Sequence, residues 1–131
     1  MSAGSTRPLR LVLGYWVPLV VYVGIIFTLS AQPYLKVPLD FRNSDKLMHL
    51  LEYGGLGLLL FRVVRTQVWG RRRDVAALVV LLAGMAIGAA DENFQRLIPG
   101  RTCDLFDWLA DSLGVGLAQA VSMAWTEWRE G

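Results

Sequence analysis

An uncharged stretch runs from Leu11 to Ala31, and it limits what this chain can fold into more than any other feature. A helix needs roughly 20 mainly apolar residues to cross the hydrocarbon core of a membrane, and this stretch is long enough by itself. Residues 75–90 and 112–126 also lack charge, and residues 47–61 contain only His49 and Glu52 as acidic or basic groups. These three stretches reach the required length once their flanks are included, because flanking arginines can extend their charged ends outward. We therefore expect helices near residues 10–31, 46–68, 75–95 and 105–126.

The composition favours a membrane bundle over a water-soluble one. Hydrophobic residues make up 54% of the chain and charged residues only 18%, whereas about a quarter of a soluble domain is charged. A soluble four-helix bundle is the alternative, but the first and third predicted helices have no polar face for water. The sequence thus predicts an all-α integral membrane bundle of four transmembrane helices, forming one domain over residues 1–131.

The first apolar stretch could instead be a cleaved signal peptide. It is long for that purpose, and no small-residue cleavage site follows it. Gln32 and Pro33 end it abruptly. An uncleaved first span is the expectation.

The distribution of basic residues predicts which side of the membrane each loop faces. Cytoplasmic loops are enriched in Lys and Arg. The termini and the middle loop carry eight of these residues: Arg7, Arg10, Arg62, Arg65, Arg71, Arg72, Arg73 and Arg129. The other two loops, with the adjoining helix ends, carry five: Lys36, Arg42, Lys46, Arg96 and Arg101. Both termini are therefore expected on the cytoplasmic side, and the other two loops on the outer side.

Polar residues gather at the outer end of the second predicted helix. Ser44 is a residue type suited to cap that helix. Asp45, His49, Glu52 and Tyr53 follow at spacings that place them on one stripe, with Lys46 beside them.

The third and fourth predicted helices bring further acids to the same end. Asp91 and Glu92 end the third helix, and Gln95 lies one turn on, where it can align with both. Pro99 and Gly100 supply a turn. Thr102 is expected to cap the fourth helix, on which a carboxylate stripe recurs every three or four residues, formed by Asp104, Asp107 and Asp111.

Part of this pattern has a purely structural explanation, because acids at a helix start complement the helix dipole. Other acids lie within or against apolar sequence, and the helix dipole does not explain their positions. A charge at the bilayer centre costs on the order of 3 kcal/mol, so such residues usually face the bundle interior in pairs. We expect a charge-paired cluster at the outer end, acting either as a ligand site or as a structural clasp. The candidate residues are Lys46, His49, Glu52, Tyr53, Asp91, Glu92, Gln95, Arg101, Asp107 and Asp111.

These residues resemble the pattern of the VanZ-like family of small bacterial membrane proteins. The resemblance runs through "LSAQP" (29–33) and "SDKLMHLLEYGGLGLLL" (44–60), and it is clearest in "DENFQRLIPGRTCDLFDWLADSLGVGLA" (91–118). In the family's pattern, a His and a Tyr open the second helix, an acid pair and a Gln end the third, and a Pro-Gly-Arg turn precedes a spaced Asp pair. The resemblance implies four spans in the bacterial cytoplasmic (inner) membrane. The family is named for a protein that lowers susceptibility to the glycopeptide teicoplanin, which implies only weakly that this chain does so.

Three functions remain open at this point. The outer cluster could bind membrane lipid, a lipid-linked cell-wall precursor or a glycopeptide, with arginines holding a phosphate or carboxylate. It could instead catalyse hydrolysis or transfer on a lipid-linked phosphate, with His49 and the acids as proton carriers or metal ligands. It could also be a clasp in an assembly factor. No catalytic residue is assigned, no cofactor is required although a divalent cation is possible, and nothing predicts nucleic-acid binding.

Overall fold

The computed structural model describes residues 6–34 and 41–131, and Lys36, counted above, lies outside these ranges. The described residues form four long helices, which confirms the all-α prediction: α1 (Thr6–Ser30), α2 (Ser44–Val64), α3 (Arg73–Gln95) and α4 (Leu105–Glu130). One π-helical turn, Val12–Trp16, lies within α1, and a short 3-10 turn, Trp69–Arg71, precedes α3. No β-strand occurs in either described range.

Three of these helices, α1, α2 and α3, are long and apolar enough to cross a membrane. Helix α4 does not reach this level, because it carries Asp107, Asp111 and Gln119, all of which are buried. Large apolar side chains, by contrast, are exposed on every helix. Polar groups inside and apolar groups outside are the arrangement expected of a bundle in lipid. Four spans and cytoplasmic termini remain predictions.

Glycines allow α3 and α2 to pack closely against α4. Gly84 and Gly88 have the four-residue spacing typical of close helix contact. A Cβ at Gly84 would lie 2.6 Å from Val115 Cγ2, and one at Gly57 would lie 2.9 Å from Val115 Cα. A Cβ at Gly114 would meet the backbone of α2 at the Leu50 carbonyl. This close approach brings the polar ends of the three helices within hydrogen-bonding reach of one another.

Two predicted helix caps are wrong, and the reasons are local. Ser44 is the first residue of α2, and the capping position belongs to Asn43, which is left-handed (φ 64°) and makes no side-chain cap. At α4 the cap is Asp104, whose carboxylate accepts the Phe106 N–H at 2.8 Å, while Thr102 lies exposed in the preceding loop. The acid displaces Thr102 because it is the residue in extended conformation directly before the first helical turn.

The turn between α3 and α4 follows the sequence prediction. Gly100 adopts φ +78°, a conformation that favours glycine. The two helices therefore run antiparallel, and the end of α3 lies beside the start of α4. The opposite end of this pair is joined by exposed ion pairs from Arg73 to Glu127 and Glu130.

Candidate functional site

Buried polar side chains from all four helices meet at one end of the bundle. Helix α1 contributes Ser30 from its last turn, α2 contributes its first three turns, α3 its last turn and α4 its first two turns. The members that are buried are Ser30, Ser44, Tyr53, Asp91, Glu92, Gln95, Asp107 and Asp111. We call this region the polar end.

His49 lies at the centre of the polar end, between acids from two other helices. Its Nδ1 is 2.8 Å from Asp111 Oδ1 and 4.0 Å from Glu92 Oε1. Its Nε2 is 3.6 Å from Asp107 Oδ2. One imidazole on α2 is therefore the common neighbour of carboxylates on α3 and α4, which do not hydrogen-bond to each other.

Lys46 makes a second connection one turn nearer the helix start. Its ammonium donates to Asp45 and Asp107 at 2.7 Å each and to Asp104 at 3.2 Å. Asp104 lies in the loop before α4, and hydrogen bonds from the Phe106 N–H and from Lys46 hold the pKa of its carboxyl below the usual range. This lysine thus fixes the start of α4 against the start of α2.

Asp91 anchors a third, more deeply buried set of contacts. Its Oδ2 accepts hydrogen bonds from the Tyr53 hydroxyl at 3.3 Å and from Gln95 Nε2 at 3.4 Å. Gln95 also donates to Ser30 Oγ at 3.3 Å, which links α1 to the set. The sequence prediction aligned Gln95 with both acids of α3, but in the structure it contacts Asp91 and not Glu92, because the side chain turns toward α1.

Four buried carboxylate oxygens at the polar end have no hydrogen-bond partner among the described residues. They belong to Glu52 (Oε1), Asp91 (Oδ1), Glu92 (Oε1) and Asp111 (Oδ2). The other oxygen of Glu92 accepts the Asp104 N–H at 3.1 Å, so this side chain is half satisfied. Buried polar atoms are normally paired, and an unpaired one is costly. The polar end therefore has unused acceptor capacity.

A cavity of about 590 Å³ opens beside the polar end, between α1, α2 and the loop before α4. Its apolar wall includes Ile25 and Leu29 of α1 and Leu51 of α2, and all three are exposed. The Tyr22 hydroxyl donates to the Glu52 carbonyl at 2.7 Å and holds α1 in place as that wall. The cavity is thus apolar on one side and polar on the other.

The polar side of the cavity includes half of the predicted candidate residues. His49, Glu52, Gln95, Arg101 and Asp107 line it. The other five lie behind these or on the rim, outside the lining: Lys46, Tyr53, Asp91, Glu92 and Asp111. Within the described ranges, the Arg101 side chain makes no ion pair or hydrogen bond, whereas Lys46 is held by three acids. Arg101 is thus a cation of the cavity lining that has no partner among the described residues.

Ser30 and Asp104 are two participants that the candidate set omitted. Ser30 lies in "LSAQP", where the family resemblance begins, so its sequence position was a usable signal. As an acid near a helix start, Asp104 has a structural explanation in the helix dipole. It does cap α4, but it also binds Lys46 and Glu92.

Comparison with known proteins supports the resemblance stated from the sequence. The family model described as VanZ/LLP1 matches residues 2–126, nearly the whole chain. No curated protein and no solved structure shows a significant match. The family match therefore confirms the resemblance, and the site must be interpreted from its own geometry.

Proposed function

The chain belongs to the VanZ/LLP1 family, and we propose that the cavity at its polar end binds a cell-envelope amphiphile with a phosphate-bearing head, such as a lipid-linked cell-wall precursor. One observation carries the proposal: the same cavity of about 590 Å³ has an apolar wall on α1 and a polar side that includes Arg101, an arginine with no ion-pair partner among the described residues. A volume in the range of about 300–1,000 Å³ suits a small ligand. A purely polar ligand would leave the apolar wall without a partner.

The wall of the cavity supports a ligand that carries a hydrocarbon chain. Ile25, Leu29 and Leu51 line the cavity and are 50%, 39% and 57% exposed. Residues that are both cavity-lining and surface-exposed mark its mouth. In a membrane this mouth would open toward lipid tails, so a chain could extend out of the cavity without leaving the apolar phase.

The head group is inferred from the charges on the floor. Arg101 can donate to two oxygens of a phosphate or carboxylate in parallel, a geometry that lysine does not offer. The other polar residues of the cavity lining include Glu52, Gln95 and Thr102, and they suit the hydroxyl and amide groups of a sugar or peptide. A glycopeptide carries similar polar groups, and lower glycopeptide susceptibility would follow if such a ligand were held here.

The basic residues support an orientation in which the cavity faces away from the cytoplasm. In that orientation the Arg71–Arg73 loop and both termini lie inside a bacterial inner membrane that the chain crosses four times. Lipid-linked cell-wall precursors are used on the outer side, where the cavity would open.

The test is binding of undecaprenyl phosphate to the purified full-length protein in detergent, measured by native mass spectrometry. Arg101→Gln removes the guanidinium that is proposed to hold the phosphate. Because charge-assisted hydrogen bonds contribute about 1.5–3 kcal/mol, we expect a roughly 10- to 100-fold loss of affinity for the lipid. Arg96→Gln is the matched control, because Arg96 is exposed and lies outside the cavity. Unchanged binding by Arg101→Gln, or an equal loss in both variants, would contradict the proposal.

A second candidate function, hydrolysis or transfer on the same lipid-linked phosphate, is favoured by the position of His49. Asp111 contacts one ring nitrogen at 2.8 Å, and the ring lines the cavity. An acid that orients a histidine in this way is common to general acid–base sites. Release of phosphate from undecaprenyl phosphate or diphosphate that depends on His49 would support catalysis. Binding without turnover would contradict catalysis and support the binding function only.

A structural clasp predicts a different result. Variants at the polar end would then lower the amount of folded protein without changing the affinity of the protein that remains. Measuring affinity per folded molecule, after size-exclusion chromatography, separates this outcome from a ligand site.

A further inference from the structure

We propose that His49, Glu92 and Asp111 bind one divalent transition-metal ion within the polar end. The three residues come from α2, α3 and α4, so the site exists only when the bundle is assembled. Each offers one donor atom, and these atoms all lie within 4.8 Å of one another. The metal site stands on this geometry alone, and only its contact with a ligand rests on the proposed function.

The distances among the donors fit a small cation. Two atoms bound at about 2.1 Å to one zinc ion lie roughly 3.0–3.5 Å apart for angles near 90–110°. In the structure, His49 Nδ1 is 2.8 Å from Asp111 Oδ1 and 4.0 Å from Glu92 Oε1. These two values bracket the expected separation, and the Glu92 and Asp111 donors lie within 4.8 Å of each other, so rotation of the side chains within the site would complete the coordination.

Two of the unpaired oxygens belong to the same pair of side chains. Glu92 is 3% exposed and Asp111 is fully buried, yet Glu92 Oε1 and Asp111 Oδ2 have no hydrogen-bond partner in the described ranges. Glu92 Oε1 is directed toward His49, at the 4.0 Å separation given above. One cation beside these oxygens would satisfy both side chains at once, whereas protons would satisfy them only one by one.

No other cation of the described ranges reaches these two acids. Lys46 contacts Asp45, Asp104 and Asp107, and its ammonium makes no ion pair with Glu92 or Asp111. Arg101 lines the cavity without contacting either acid. Among the described residues, Glu92 and Asp111 have His49 as their single ion-pair partner, and a dication would balance the two negative charges.

The donor set favours a particular group of metals. Imidazole nitrogen suits Zn²⁺, Fe²⁺ and similar ions, while Mg²⁺ and Ca²⁺ prefer oxygen alone. One nitrogen with two carboxylates therefore favours Zn²⁺ or Mn²⁺, with Zn²⁺ the tighter of the two. Three protein ligands leave at least one coordination position for water or a ligand oxygen, as in open metal sites. His49 lines the cavity, so a phosphate oxygen held there would have access to that position.

The experiment uses full-length protein in detergent, stripped with a chelator and titrated with Mn²⁺ while electron paramagnetic resonance monitors the free ion. We expect one equivalent to bind, displaceable by stoichiometric Zn²⁺ but not by equal Mg²⁺. Glu92→Gln and Asp111→Asn should each weaken binding at least about 100-fold, since even groups that only orient a ligand typically contribute 10- to 100-fold. Asp74→Asn is the control, an exposed acid at the opposite end of α3 that is paired with Arg72, and it should bind as wild type does.

A second measurement keeps the proposal testable if a variant fails to fold. Pulsed electron paramagnetic resonance of Mn²⁺ on the wild-type protein should show coupling to an imidazole nitrogen, and His49 is the only histidine in the chain. Absence of that coupling, or equal binding by Glu92→Gln and wild type, would overturn the metal site. Lipid binding is measured separately on chelated protein. If Arg101 still governs it while no metal binds, the metal inference fails and the proposed function stands. If metal binds and lipid does not, the proposed function fails and the metal inference stands.

Discussion

Replacing Gly57 by alanine tests whether close packing of α2 on α4 positions the polar end. The new Cβ would lie 2.9 Å from Val115 Cα and 3.0 Å from both the Val115 oxygen and the Ala118 Cβ. Carbon atoms in contact prefer about 3.5–4.0 Å, so the helices must separate by at least about 0.6 Å. Overpacking of this kind typically costs about 1–3 kcal/mol in the free energy of unfolding.

The same displacement should reach His49, eight residues away on α2, or about 12 Å along the helix. If α2 shifts as a rigid body, the distance from His49 Nδ1 to Asp111 Oδ1 increases from 2.8 Å to about 3.4 Å, near the limit of a hydrogen bond. Gly57→Ala should therefore lower the free energy of unfolding and weaken the hydrogen bond between His49 and Asp111, although Gly57 lies outside the polar end.

Gly54→Ala is the control, because a Cβ there meets only the Gly114 oxygen, at an ordinary 3.8 Å. Both substitutions exchange the same residue types on the same helix, so their propensity gains cancel in the comparison. Unfolding in mixed micelles, followed by tryptophan fluorescence, measures the difference. If Gly57→Ala proves as stable as Gly54→Ala, the helices are not held at this distance by the glycine contact, and the reasoning fails.

Three further predictions concern individual groups. Lys46→Met should lower the free energy of unfolding by about 2 kcal/mol, because it leaves a largely buried Asp107 without its hydrogen-bond donor. Arg72→Met breaks an exposed ion pair and should change the free energy of unfolding by less than about 1 kcal/mol in the same unfolding experiments. Tyr53→Phe removes a donor to buried Asp91 and should cost about 1–2 kcal/mol by the same measurement, and an unchanged midpoint would show that this hydrogen bond adds nothing. Cys103, the only cysteine, is exposed and should react in intact cells with a membrane-impermeant maleimide. A cysteine introduced by Arg71→Cys in a Cys103→Ser background should react only after permeabilisation, and the opposite pattern would reverse the topology.

The positions of the helices could be predicted because runs without charge leave the backbone few alternatives in lipid. Residues 11–31 and 75–90 specify α1 and α3 almost unaided. The convergence of His49 with Asp107 and Asp111 was also predictable, since helical spacing fixes the face on which each residue lies. Whether those residues form a ligand site stays a prediction.

The individual partners could not be predicted, because they depend on the rotation of one helix against another. Helical spacing allows Gln95 to reach either acid of α3. In the structure Gln95 hydrogen-bonds to Ser30 on α1, and in that position it reaches Asp91. Similarly, Lys46 had many acids within conceivable reach, and only the packing of α4 selected Asp104 and Asp107. The cap at Asp104 was missed because Thr102 and Asp104 are both good capping residues, and the loop geometry chose between them.

The distribution of charge among the helices has a consequence for how the chain is assembled during synthesis. At the polar end, the ion-pair partners of the α3 and α4 acids, within the described residues, are Lys46 and His49, both on α2. Helices α3 and α4 supply no basic side chain to this cluster within the described residues. A hairpin of these two helices alone would carry Asp91, Glu92, Asp107 and Asp111 without an ion-pair partner, since Arg101 in its loop pairs with none of them among the described residues. Because α2 precedes them in the chain, its cations are already present when the acidic hairpin emerges, and a circular permutant that delivers α3 and α4 first would lose that protection.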